Sequence, residues 1–274
     1  ILTTTGACTV ENYTDTKAGT LGTHHHIIGA AVVEVVDAHR FHIRQINADE
    51  NGSFYELDTL YTSRSVKDGQ PIESLTCGDI HWQQMDPEIE QATFGDGGIV
   101  DSLKPKRLVM HDLLDFKSQN HHDVGDFFER WRKYRHGITS VYKEVKGTLE
   151  WTHRQAQKAE ELVVVESNHN EAFTRWLNEG RGDKEPENAW FYYNTWAGIL
   201  PAPESESFEI GHPLEYWYRR WFGDDGVRFL RRDDSYTIGG IEHAMHGDVG
   251  SNGAKCNVKS FEKIGVRSTV GHAH

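Results

Sequence analysis

The sequence predicts an α/β protein in which a small β-rich segment, residues 1–72, precedes a larger domain, residues 73–274. Three observations support this prediction. The first seventy residues carry a hairpin pattern, short apolar strands alternate with helical stretches after Pro71, and several later strands end on Asp, Asn or His. Alternating strands and helices are typical of α/β domains. Polar side chains at strand ends indicate where such a domain places its site.

Composition restricts the function classes. Of the 274 residues 42 are acidic and 29 are basic, so the formal net charge of −13 argues against nucleic-acid binding over the whole surface. We find no apolar run of about 18 residues and no basic segment followed by an apolar one, so neither a membrane span nor a signal peptide is expected. The three cysteines form no C-x-x-C pair, which excludes a thiolate zinc knuckle and favours a reducing, cytoplasmic location.

The β-rich segment begins with a predicted hairpin. Ala30–Val36 is an apolar run, Asp37–Arg40 suits a turn, and Phe41–Ile46 alternates apolar and polar residues. Ser53–Leu60 is predicted as a third strand after Asn51 and Gly52. Residues 3–22 are rich in Gly and Thr and show no periodic pattern, so no regular element is predicted there.

The larger domain is predicted to alternate strands with helices. The predicted helices are Pro87–Leu103, long helices from Asp123 to Glu160, and one that begins at Glu171. The predicted strands are Ser74–Cys77, Arg107–Met110, Leu162–Val165, Val227–Leu230, Ile241–Met245 and Val266–Val270. Residues 182–213 contain four prolines and are predicted as a loop.

Potential metal ligands follow these strands. They are Asp79 and His81, Asp112, Asn168 and His169, His246, and finally His272 and His274. An i, i+2 spacing places two side chains on one side of an extended segment. Carboxylate, imidazole and amide oxygen ligands suit divalent ions such as Mn²⁺, Fe²⁺ or Zn²⁺, and a carboxylate can bridge two such ions in a phosphoryl-transfer site.

In this order the elements resemble the motifs of the calcineurin-like metallophosphoesterases, which read D-x-H, GDxxD, GNH[DE], a lone His and GHxH. Here they stand as Asp79-Ile80-His81, His111-Asp112-Leu113-Leu114-Asp115, Ser167-Asn168-His169-Asn170, His246-Gly247 and Gly271-His272-Ala273-His274. His111 and Ser167 replace glycines of the family pattern, and Asn170 replaces an acidic residue. The resemblance covers residues 75–274 and implies a β-sandwich flanked by helices, which is expected to need one or two more strands after His274.

The resemblance also implies the roles of the residues. One ion would be held by Asp79, His81, Asp112 and His274, and a second by Asp112, Asn168, His246 and His272. His169 would face the scissile phosphate as the catalytic residue. Two Mn²⁺ ions are the expected cofactors, with Fe²⁺ or Zn²⁺ as alternatives. His243 lies close to His246 in sequence, and His246 is preferred as the ligand because Gly247 follows it as in the family pattern.

One basic and aromatic cluster is predicted to contact DNA. It consists of Arg219, Arg220, Arg228, Arg231 and Arg232 with Trp217 and Trp221. Arginines would bind phosphates and the aromatic rings would stack on unpaired bases. The alternative is a packed helix with a basic face. A second basic run, Arg130–Arg135, is interpreted as a solvated helix face.

Together these features predict a DNA nuclease similar to phage-encoded members of the family, acting in the host cytoplasm. Assembly into a homo-oligomer is compatible with the acidic remainder of the surface. A protein or small-molecule phosphatase or a cyclic-nucleotide phosphodiesterase is the alternative, since all use the same in-line chemistry. A catalytically inactive metal-binding assembly module is disfavoured, because His169 and every ligand of the pattern are retained.

Overall fold

The computed structural model describes residues 5–205, 209–250, 253, 261 and 264–272. The chain divides into two compact units, Ile1–Ile72 and Glu73–His274. Within the described residues, no helix is both long enough and apolar enough to cross a membrane.

The described part of the first unit, residues 5–72, contains one helix and five short strands. In chain order these are α1 (Lys17–His25), β1 (Gly29–Val35), β2 (Phe41–Asn47), β3 (Phe54–Glu56), β4 (Thr59–Tyr61) and β5 (Val66–Lys67). β1 and β2 form the predicted antiparallel hairpin. The carboxylate of Asp37 fixes its turn by accepting hydrogen bonds from the backbone N–H groups of His39 and Arg40. β3, β4 and β5 form a separate antiparallel sheet.

Two features of this unit differ from the prediction. Ser53–Leu60 is not one strand, because a turn in which Leu57 has a φ of 53° separates β3 from β4. The region predicted to lack regular structure contains most of α1, which begins where the hydroxyl of Thr16 accepts a hydrogen bond from the backbone N–H of Gly19. α1 has no apolar stripe, so periodicity could not reveal it.

The described part of the second unit alternates strands and helices, and two short strands come last. In chain order its elements are β6 (Ser74–Asp79), α2 (Pro87–Phe94), α3 (Ile99–Leu103), β7 (Arg107–His111), α4 (Phe127–Arg135), α5 (Val141–Ala156), β8 (Glu161–Val164), α6 (Asn170–Asn178), α7 (Pro186–Ile199), α8 (Pro213–Phe222), β9 (Val227–Phe229), β10 (Thr237–Ile238) and β11 (Ile241–Glu242). β6, β7, β8 and β9 are neighbours in one parallel sheet. The mixed α/β class predicted from the sequence is confirmed.

The parallel sheet separates two layers of the core. Leu108 and Met110 of β7 point into a large cluster with buried side chains of α5, α6, α7 and α8. Val109, between them, points to the other face and packs with Val163 and with Ile238 of β10. This alternation follows from the two-residue repeat of a strand. Because both faces of β7 and β8 are covered, these two strands carry short apolar runs that are visible in the sequence.

Three predicted elements of this unit are corrected by the structure. Pro87–Leu103 is two helices, α2 and α3, separated at Gly95–Gly98. Residues 182–213 are not all loop, because α7 lies within them. Val266–Val270 forms no named strand, although Ser268 makes an isolated bridge to Glu242.

Candidate metal centre

The candidate centre lies at the carboxyl ends of the parallel strands. β6 ends at Asp79, β7 ends one residue before Asp112, and the segment that follows β8 carries Asn168. In a parallel sheet these ends share one edge, so residues far apart in sequence meet there. The backbone N–H of His81 donates to the carbonyl oxygen of Asp112 at 2.7 Å, which joins the first two segments directly.

The buried residue Asn170 joins the segment after β7 to the end of β8. Its side-chain oxygen accepts a hydrogen bond from the backbone N–H of Leu114 at 3.2 Å, and its side-chain nitrogen lies 3.3 Å from the carbonyl oxygen of Val165. Asn170 occupies the position that is acidic in the family pattern. As an amide it both donates and accepts, and it thereby ties the segment after β7 to the end of β8.

A first group of side chains consists of Asp79, Asp112, His246 and His272, and one ligand atom from each lies within 4.8 Å of the others. His246 Nε2 is 3.2 Å from Asp112 Oδ2 and 3.1 Å from Asn168 Oδ1. The backbone N–H of His272 donates to the Asp79 carboxylate at 3.0 Å, which fixes that side chain. Asp112 and His246 are buried, and Asp79 and His272 are partly buried.

A second group consists of His81, Asp115 and His169, again within 4.8 Å of one another. His81 Nδ1 is 3.3 Å from Asp115 Oδ1, and the rings of His81 and His169 lie 4.5 Å apart. His81 Nε2 is 3.6 Å from Asp112 Oδ2. Asp112 therefore lies between the two groups and contacts both.

The backbone at the centre is strained. His81, Asp112 and His272 have φ angles of 40°, 47° and 58°. A residue with a Cβ loses on the order of 1 kcal/mol in this left-handed conformation, and such residues concentrate at functional sites, where the surrounding structure holds them in place. Three of them in one site indicate that side-chain placement here outweighs local backbone preference.

Asp112 has an unusual electrostatic environment. It is only 1% exposed, and neither carboxylate oxygen has a hydrogen bond of good geometry. Burial raises the pKa of this carboxyl, but the neighbouring His246 outweighs burial and lowers the pKa to about 2. A buried, ionised carboxylate without hydrogen bonds is costly unless something else compensates it.

His111 is also buried at the centre. Its Nδ1 lies 3.4 Å from Nδ1 of His246, while its Nε2 has no hydrogen-bond partner among the described residues. Burial, together with the nearby His246, lowers the pKa of His111 to about 4, so its ring is neutral at physiological pH. A neutral His111 can accept a hydrogen bond from Nδ1 of His246, which leaves Nε2 of His246 to face Asp112.

This set of donors fits divalent metal ions. Carboxylates and imidazoles converge with the amide oxygen of Asn168, and the two oxygens of Asp112 are free to act as ligands. Such oxygen and nitrogen ligands suit Mn²⁺, Fe²⁺ or Zn²⁺. The acidic and histidine groups of the structure could therefore bind a metal ion.

Most of the predicted site residues are brought together, but their grouping differs from the expectation. His81 lies with Asp115 and His169 rather than with Asp79 in the first group. His274 lies outside the described residues. His243 is held elsewhere, since its Nδ1 is within 3.0 Å of the hydroxyls of Thr76 and Thr269.

Sequence reasoning missed Asp115 and His111 as members of the centre. The signal for Asp115 was its position as the last residue of the D-x-x-D pattern after Asp112. His111 offered no comparable signal, because it stands where the family pattern has glycine and its burial depends on the packing of β7.

The predicted DNA-contact cluster is corrected by the structure. Trp217 is only 2% exposed and its Nε1–H donates to Thr195, so it cannot stack on a base. Trp221 packs against the same core. The aromatic side of α8 therefore packs into the core, in agreement with the alternative interpretation of a packed helix.

The arginines of that cluster are mostly engaged with carboxylates. Arg219 pairs with Asp224 and Glu215, Arg228 with Glu161, Arg231 with Glu215, and Arg232 with Glu171 and Asp248. Arg220 lies over the ring of Trp217. These pairs offset the positive charge on which the predicted phosphate contacts depended. Arg232 instead links the start of α6 to the segment that follows His246.

No protein-family model matches the sequence, and no solved structure matches it. The chain is similar to Protein A1 of Escherichia phage T5, with 34% identity over 280 residues. The match covers 98% of this chain and 50% of Protein A1, so the chain spans about half the length of this curated relative.

Proposed function

We propose that the second unit is a calcineurin-like metallophosphoesterase domain and acts as a phosphodiesterase with two divalent metal ions, and that its substrate is DNA. The observation that carries this proposal is the position of Asp112. Its buried carboxylate lies between the two ligand groups, with Oδ2 at 3.2 Å from His246 Nε2 and 3.6 Å from His81 Nε2, and neither oxygen has a hydrogen bond of good geometry. A carboxylate so placed can bridge two ions, as two-metal phosphoryl-transfer sites require.

The residues divide into two ligand sets around Asp112. Asp79, Asn168, His246 and His272 would hold one ion, and His81 with Asp115 would hold the other. When bound, the two ions would supply Lewis-acid stabilisation of the phosphate and activation of the attacking water. Asn170 and His111 hold the ligands in place, because each contacts a ligand or its backbone neighbour.

His169 is proposed to act on the phosphate itself. Its Nδ1 lies 3.1 Å from the carbonyl oxygen of Asp115. Since a carbonyl oxygen only accepts, Nδ1 carries the proton, and this fixes the orientation of the ring. Nε2 is then free to contact a phosphate oxygen, or to give a proton to the leaving oxygen when the ring is protonated.

DNA as the substrate is supported by the insertion between Asp112 and Asn168. This insertion carries α4 and α5. Of the four basic residues of α4, Arg130 and Arg135 form no ion pair among the described residues, whereas Arg132 pairs with Glu129 and the buried Lys133 pairs with Asp123. A local basic surface suffices for a polyanion even on an acidic chain, because charges beyond about 8–10 Å are screened at physiological salt.

The proposal is tested by hydrolysis of labelled single-stranded and double-stranded DNA in Mn²⁺. Asp112→Asn should lower hydrolysis by roughly a thousandfold or more, because a neutral amide cannot bridge two cations. Asp183→Asn, the same change at an exposed position, should leave it unaltered. Hydrolysis of small chromogenic phosphoesters without hydrolysis of DNA would favour the phosphatase alternative, and activity retained in Asp112→Asn would rule out the two-metal centre.

A further inference from the structure

The helix α4 has an unusual surface for a helix of a folded protein. Phe127, Phe128, Trp131 and Tyr134 are 73%, 82%, 56% and 71% exposed. Within the described part of the chain its one buried side chain is Lys133, whose ammonium group pairs with Asp123 at 2.5 Å. Helices usually owe their stability to a packed apolar face. The apolar side chains of α4 instead point to solvent.

One side of α4 borders a cavity of about 850 Å³. Phe127, Trp131 and Tyr134 line it together with the cations Arg130, Arg181 and Lys184. A volume of this size lies within the roughly 300–1,000 Å³ of typical ligand sites. Aromatic rings thus face a space that can admit flat, apolar groups.

The cations beside these rings are less neutralised than those of α8. Arg130, Arg135 and Lys184 form no ion pair in the described ranges, although Arg181 pairs with Glu179. Four of the five α8-region arginines are ion-paired. Of the acidic side chains at the cavity, Asp123 is neutralised by Lys133, whereas Glu185 and Glu187 accept hydrogen bonds from Asn188 and Thr139, which leave their charges in place. Phosphate oxygens are therefore the natural partners of the unpaired cations.

A series of contacts along α6 and the 3₁₀ turn at His121 links the candidate metal centre to the cavity. α6 begins directly after His169, and Arg175 lies about 8 Å further along its axis, at 1.5 Å per residue. Arg175 contacts the ring of His121 at 3.3 Å. His121 begins the 3₁₀ turn that ends at Asp123, which pairs with Lys133 of α4.

We propose that the α4 face and this cavity bind single-stranded DNA, with unpaired bases stacked on Trp131 and Tyr134 and phosphates bound by Arg130, Arg135 and Lys184. The inference rests on the proposed function, since it names the form of DNA that reaches the centre. Alternating aromatic rings and cations are the surface that binds single strands without sequence preference. In a duplex the faces of the bases are already stacked, so duplex DNA cannot use the rings.

The test measures binding separately from hydrolysis. Fluorescence anisotropy of a labelled oligo(dT) is recorded with the full chain in EDTA, beside a duplex and an oligo(rU) of equal length. The single-stranded DNA should bind most tightly. Trp131→Ala combined with Tyr134→Ala should weaken its binding roughly tenfold or more, since each stacked base contributes substantially. Tyr193→Ala, at an exposed tyrosine of α7 outside the cavity, should leave binding unchanged.

A second pair of variants separates stacking from general apolar contact. Trp131→Phe should retain most of the binding, and Trp131→Leu should lose it, because leucine is apolar but has no ring face. Unchanged oligo(dT) binding in the double variant would overturn the proposal, as would tighter binding of the duplex or of oligo(rU). Loss of self-association by sedimentation, with DNA binding intact, would instead identify a second copy of the chain as the occupant. Intact binding with no hydrolysis in any metal would leave this site standing and remove the proposed function.

Discussion

The side chain of Asp112 lies where the segments after β6, β7 and β8 meet the segment that carries His246. Its charge is maintained in a buried position because several imidazoles surround it. His81 and His272 adopt left-handed backbone conformations. The position of their side chains is therefore maintained at the cost of backbone strain. At this scale the chemistry depends on which residues carry ligand atoms and which only orient them.

His169 is proposed to act on the phosphate and not as a metal ligand. His169→Ala should keep both metal ions and lower turnover by about 10²–10⁴-fold, the usual contribution of a positioned acid or base. Metal content by elemental analysis and hydrolysis rates are measured on the same preparation. If the variant loses an ion, His169 is a ligand of the group that it shares with His81 and Asp115.

His111 should act through His246. His111→Ala removes the partner of His246 Nδ1, so Mn²⁺ affinity measured by calorimetry should fall about 10–100-fold, the usual effect of removing a hydrogen-bond partner of a metal ligand. His153→Ala provides a matched control, because His153 pairs with Asp225 rather than with a residue of the centre. Unaltered affinity in His111→Ala would show that the contact does not orient His246.

At the scale of elements, the parallel strands were predictable and the helices only in part. β7 and β8 are buried on both faces, so apolar runs identify them in the sequence. α7 was missed because the four prolines of residues 182–213 were interpreted as loop signals, yet Pro186 occupies the first helical turn, where a missing N–H costs nothing. The burial of Trp217 could not be predicted, because it depends on Thr195 and Phe191 of α7.

The burial of Trp217 on α8 leads to a prediction about stability. Trp217→Ala should destabilise the fold by about 3–5 kcal/mol, since it removes a large buried ring from the core. Trp131→Ala makes the same change at an exposed ring and should alter the free energy of unfolding by less than about 0.5 kcal/mol. Urea unfolding of both variants measures the difference. Equal, small effects would mean that the α8 face is not part of the core.

At the scale of the whole molecule, the site could be predicted because the ligand residues follow predicted strands in the sequence. The ligand residues come from five separate segments. Three of these follow the parallel strands β6, β7 and β8, so the sheet brings them to one edge. His246 and His272 come from later segments that lie outside the parallel sheet. Their grouping around Asp112, with His81 beside Asp115, depends on side-chain packing that no linear pattern contains. The net charge of −13 is likewise compatible with local basic surfaces, because only the distribution of charge decides binding.

The bridging role proposed for Asp112 is tested most directly by counting metal ions. The wild-type chain and Asp112→Asn are loaded with Mn²⁺, desalted and analysed for metal per chain, with circular dichroism to verify the fold. We expect two ions per chain in the wild type and the loss of at least one in the variant, with the spectrum unchanged. A metal-free wild type that still hydrolyses DNA, or a variant that retains both ions, would contradict the two-metal centre.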